Sequence, residues 1–181
     1  MAVSDAEGSV KTCFVAMPIT TPVAYAEELG DKEHFAHVLD HLFEPALEAA
    51  GLKAIAPSVA GPDMIHAEII RNLETADFVL CDLSDLNPNV LFELGIRTSL
   101  DRPVMLVKDD RTKKISFDLG GINTVTYNSS LTPWSLKAEM PRLTQFIKGV
   151  VDSGNSGNAM WRYFGLTKSM SRVVVGVGDN Y

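Results

Sequence analysis

Asp82 and Glu93 flank a short polar turn in the stretch CDLSDLNPNVLFELG. Asp82 closes the bulky apolar run DFVLCD, which reads as a buried strand. Glu93 falls in the second turn of the helix that follows. Two carboxyl groups so placed are the pair that breaks a glycosidic bond. One attacks or stabilises the sugar cation, and the other handles the leaving group or positions a hydroxyl. Each residue also has a plainer reading. Aspartate at a strand end often caps a turn. Glu93 stands four residues before Arg97, the favourable order for a surface ion pair worth about 0.2–0.5 kcal/mol. Spacing alone does not choose between these readings.

The turn between them has its own logic. Pro88 suits the first helical position and makes Asn87 the N-cap. Ser84, Asn89 and the free N–H groups of the first turn are then the expected site for an anion or a sugar hydroxyl. Asp85 reads as a turn residue. Gly95 costs about 1 kcal/mol relative to Ala inside a helix, so the expectation is that it lets a ligand or a backbone come close. Leu91, Leu94 and Thr98 are expected to pack inward.

The elements that must hold this turn alternate along the chain. TCFVAMPI (12–19), LKAIAPS, DFVLCDLS and PVMLVKD read as strands, with NTVTYN as a weaker fifth. Helices are expected at 31–50, at 63–75 with Asp63 as N-cap, at 88–100 and at 135–150. This alternation predicts an α/β, flavodoxin-like or Rossmann-like doubly wound sheet. Its five parallel strands take the order 2-1-3-4-5, with helices on both faces. In that order strands 1 and 3 are neighbours, and the ligand crevice opens at their carboxyl ends, at MPIT and DLSDLNPN. Residues 1–10 are expected to be disordered and 11–150 to form the domain. Residues 151–181, starting in DSGNSGN, read as a linker followed by a C-terminal arm or strap.

FVAMPI, ETADFVLCDLSDLNPNVLFELGI and RPVMLVKD together resemble the nucleoside 2-deoxyribosyltransferase-like superfamily. More narrowly they resemble a bacterial branch with an N-P-N-V-x-x-E-L-G block. The resemblance spans roughly residues 11–127. It implies that Glu93 is the nucleophile that takes the sugar and that Asp82 is the strand-end aspartate. Met17 and Pro18 stand where that superfamily usually has a Gly-Pro pair shaping the base pocket. Glu68 is the nearest candidate for its second-helix acid. The implied activity is cleavage or transfer at the N-glycosidic bond of a nucleoside or nucleotide, without a cofactor and in a homo-oligomer. TIR domains, which cleave the nicotinamide–ribose bond of NAD, are more distantly similar. The rival reading is a non-catalytic nucleotide-binding sensor on the same fold.

Bulk properties agree with a soluble domain of this kind. The chain has 181 residues, 46% hydrophobic and 22% charged, with a net charge of -7. That charge speaks against a nucleic-acid groove or an anionic membrane as partner. No run of about 20 apolar residues is present, and the N-terminus lacks a secretory pattern, so a cytoplasmic location is expected. Cys13 and Cys81 lie in apolar runs and read as free thiols. His34, His37 and His41 share helical spacing opposite the apolar stripe, a solvated or subunit-facing set rather than a metal site. KDDRTKK (108–114) reads as a solvated loop and FDLGGIN (117–123) as a turn.

Overall fold

The computed structural model describes residues 10–57, 62–112, 123–154, 157, 158 and 161, with side chains described from Ala67 onward in the helix that starts at Pro62. Residues 1–9, the FDLGGI turn and nearly all of the C-terminal arm lie outside this set.

Five strands form one parallel sheet: β1 (Thr12–Ala16), β2 (Lys53–Ile55), β3 (Phe78–Asp82), β4 (Val104–Asp109) and β5 (Thr124–Tyr127). Their order is β2-β1-β3-β4-β5, the expected flavodoxin-like arrangement. Alternation along the strands divides the core into two layers. Cys13, Val15, Leu80, Met105 and Val107 face one side, against α2 (His34–Val38), α3 (Glu44–Ala49) and α6 (Pro133–Asp152). Phe14, Ala16, Val79, Cys81 and Leu106 face the other, against α4 (Pro62–Thr75) and α5 (Pro88–Ser99). β1, β3 and β4 are buried on both faces, which is why they read as unbroken apolar runs. Cys13 and Cys81 lie in opposite layers as buried free thiols.

Three local features depart from expectation. A helix that the sequence reading missed, α1 (Val23–Leu29), buries only Tyr25. The expected helix at 31–50 begins at His34 and passes through a π-helical turn, Leu39–Phe43, before α3. Pro45 explains that turn: it lacks an N–H, its ring crowds the preceding turn, and the wider π turn accommodates both. α4 starts at Pro62, so Asp63 is a helical residue and not the N-cap.

The histidine face is not uniform either. His34 is buried against Tyr25 and Phe35. His37 Nδ1 lies 2.7 Å from Asp31, an acidic partner not evident from spacing, and its ring stacks on His41. That hydrogen bond raises the His37 pKa, whereas burial lowers that of His34. At the chain's other end, Asn158 is buried and bonds Asp101 and the Arg102 carbonyl, and the Trp161 indole donates to the Thr98 carbonyl. These residues strap the chain against the end of α5. No described helix is long and apolar enough to cross a membrane.

Candidate active site

β3 delivers the chain to the carboxyl edge of the sheet, and α5 carries it back. Between them runs a tight turn, Ser84–Leu86, in which Asp85 and Leu86 both adopt left-handed backbone, at φ 57° and 49°. Side chains with a Cβ pay for that conformation. The turn is held by the Asp85 N–H, which donates to Thr112 Oγ1 at 3.0 Å. Asn87 then caps α5, its side-chain oxygen accepting from the N–H groups of Asn89 (3.0 Å) and Val90 (3.4 Å). Pro88 has no N–H, and Leu91 N–H bonds the Asn87 carbonyl at 3.0 Å. The donors of the first turn are therefore already taken, against the expectation of an open anion site there.

α5 presents two stripes. Val90, Leu94 and Arg97 are buried. Asn89, Phe92, Glu93 and Ile96, at i, i+3, i+4 and i+7, line a pocket of about 380 Å³. Met17, Pro18, Ile19 and Thr20 close it from the end of β1, and Ile69 and Ile70 from α4. Glu93 is the only charged residue among the described residues of that lining. Desolvation pushes its pKa up from 4.5 to about 7. Leu91, expected to pack inward, is instead partly exposed, and Gly95 faces open space, with nothing within 4 Å of where a Cβ would stand.

Asp82 does not reach this pocket. It is 0% exposed. Its Oδ1 accepts from Ser84 N–H (3.1 Å) and Ser84 Oγ (2.6 Å), and its Oδ2 accepts from the Tyr127 hydroxyl (2.9 Å). Ser84 Oγ in turn accepts from Asp109 N–H at 2.8 Å. This network ties together the carboxyl ends of β3, β4 and β5. Burial raises the Asp82 pKa to about 7, and the hydrogen bonds from Ser84 and Tyr127 oppose the rise. The expectation that Asp82 and Glu93 share one crevice is thus corrected: burial and hydrogen bonds to both oxygens make Asp82 a brace behind the pocket.

Of the other expected site residues, Met17, Pro18, Asn87 and Asn89 line the pocket with Glu93. Ser84 is buried in the brace. Glu68 lies on the exposed side of α4, while its neighbours Ile69 and Ile70 turn to the pocket. Ile19 and Thr20, in the MPIT end of β1 where the crevice was expected, line it too. The sequence reading missed Phe92, Ile96 and Ile70. Counting i+3 and i+7 from Asn89 finds the first two. Tyr127, missed as the partner of Asp82, carries no local signal because it comes from a distant strand. Among the described residues, no three His, Cys, Asp or Glu side chains gather as a metal-holding group.

A doubly wound α/β domain with a pocket at its β1/β3 switch point, lined among the described residues by the one carboxyl of Glu93, is what the fold and pocket define. Comparison adds no family to that description: no family model matches the chain, and no curated protein matches it.

Proposed function

We propose that the protein cleaves or transfers at the N-glycosidic bond of an unphosphorylated nucleoside, with Glu93 as nucleophile. The observation that carries this reading is the desolvated carboxyl of Glu93, the one charged group among the described residues of the pocket lining. A carboxylate stripped of water is a stronger nucleophile and lies well placed to meet the positive charge that develops on a departing sugar. In the first step a Glu93 oxygen bonds the anomeric carbon. The base leaves with the electron pair of the broken C–N bond and takes a proton from solvent. Water or a second base then displaces Glu93 from the sugar.

Two features favour a nucleoside over a nucleotide or NAD. No Lys or Arg is among the described lining residues, and the first-turn donors of α5 are taken by Asn87. A phosphate there would lie near Glu93 without a counter-charge. The volume, about 380 Å³, stands near the low end of the roughly 300–1,000 Å³ of small-molecule sites, which suits one nucleoside better than a dinucleotide.

The second reading, a nucleoside-binding sensor, is favoured by Asp82, whose place in the brace leaves one carboxyl among the described lining residues. Incubation with nucleosides, nucleotides and NAD, followed by chromatography for free base, separates the two. Base release from nucleosides that drops about 10³-fold in Glu93→Gln, with the fold intact, supports the enzyme. Saturable nucleoside binding with no base release supports the sensor. Turnover by Glu93→Gln within a few-fold of wild type removes the nucleophile assignment.

A further inference from the structure

Phe92 is 67% exposed, the more surprising because it sits beside Glu93 on the pocket stripe of α5. Ile70 on α4 (41%) and Ile19 after β1 (45%) are exposed as well, and both line the same pocket. Three large apolar side chains, from α5, α4 and the loop after β1, therefore stand at one mouth beside Glu93. Exposed apolar area of this kind marks a surface that a ligand or partner covers. The polar lining groups, Thr20, Asn87 and Asn89, belong to the β1 and α5 ends of the same pocket. The mouth thus carries both kinds of surface: exposed apolar side chains, and the hydrogen-bonding groups of Thr20 and Asn89, which are exposed as well, beside the half-buried Asn87 and Glu93. A nucleoside offers a match to both, a planar heteroaromatic base on a hydroxyl-bearing sugar.

We propose that Phe92 is the base platform: its ring stacks on the face of an uncharged purine or pyrimidine, and Ile19 and Ile70 pack the opposite side and edge. This rests on the nucleoside reading of the pocket and adds to it a residue that sets which ligands bind. Every nucleobase has a π face, so stacking gives affinity without reading the base edge. Discrimination between bases then falls to Thr20, Asn87 and Asn89. The assignment also accounts for an aromatic residue held open to water.

The test reads equilibrium binding rather than turnover, so it stays informative if the glycosidase reading fails. Glu93→Gln protein, alone and with Phe92→Ala, Phe92→Tyr or Phe92→Trp, is titrated calorimetrically with adenosine, thymidine, adenine and ribose. Light scattering is recorded on each variant. The expected result is that Phe92→Ala weakens nucleoside and free-base binding about tenfold or more. Tyr and Trp restore it, ribose affinity does not change, and the association state is the same throughout. Three outcomes overturn the proposal: unchanged base affinity in Phe92→Ala, loss of affinity only together with loss of self-association, or no binding of any base or nucleoside to the parent protein. The second of these assigns Phe92 to a contact between two copies of the chain. Melting temperature controls for folding, which an exposed side chain should not disturb.

Discussion

Glu93 and Arg97 stand one helical turn apart on α5 and do not pair. Arg97 is fully buried and donates to the carbonyls of Leu73 (2.6 Å), Pro103 (3.0 Å) and Asp77 (3.0 Å), joining the end of α4 to the starts of β3 and β4. Burial lowers its pKa from 12.5 to about 10. The i, i+4 order that suggested a surface ion pair is therefore incidental, and Glu93 is left to the pocket.

Arg97→Leu removes the donors of three carbonyls at once. Leaving such groups buried and unmet costs about 3 kcal/mol or more in total. Urea denaturation should show that loss as a lower midpoint, while Glu93→Gln, which leaves no bonded partner behind, should melt near wild type or above it at pH 8. Equal midpoints for Arg97→Leu and wild type would mean that water or other groups replace the guanidinium.

Gly95 lies inside α5 with open space where a Cβ would go. Gly95→Ala should therefore stabilise the protein by up to about 1 kcal/mol, through the unfolded chain's lost freedom. Thermal denaturation reads the gain. A gain accompanied by loss of ligand binding would show that a ligand approaches Gly95 after all.

Asp82 holds its proton more tightly folded than unfolded, with a pKa of about 7 against 3.8. Its contribution is complete below the unfolded value and is lost as pH rises through about 7, on the order of 4 kcal/mol. Asn at this position keeps an acceptor for Ser84 and has no charge to bury. Asp82→Asn should therefore lose less stability than wild type between pH 4 and pH 8, as followed by urea midpoints across that range. Parallel curves for the two proteins would mean that Asp82 is charged in the folded state.

As the proposed nucleophile, Glu93 must be ionised to attack. With its pKa near 7, kcat/KM for base release should climb about tenfold per pH unit below that point and level off above it. A profile that instead falls above pH 7 would make Glu93 a proton donor to the leaving base.

Much of this was legible in the residues. β1, β3 and β4 are buried on both faces, so their sequences are unbroken apolar runs, and the strand order followed from strict alternation with helices. Asn87, Pro88 and Glu93 were legible because caps and helical spacing are local. What was not legible depends on distance. Asp82 reads the same whether it faces a crevice or Tyr127, and only the arrival of β5 decides. Arg97 reads as a surface cation until the carbonyls of Leu73, Asp77 and Pro103 are brought to it. Tyr25 is the one buried residue of α1, with Leu29 partly buried beside the core, too weak a pattern to mark a helix.

The all-parallel sheet has a consequence for how the chain reaches this state. No strand can pair with the next through a hairpin, so every ladder waits for a crossover to close. The central pair is the most demanding: Thr12 and Asp77, which bond at its edge, are 65 residues apart. Until Phe78–Asp82 has emerged from the ribosome, β1 has no central partner, and that edge of it stays unpaired. Loops of that length slow nucleation and lengthen the exposure of unpaired edges. Refolding should accordingly be slow for a domain of this size and sensitive to protein concentration, with yields that fall as concentration rises.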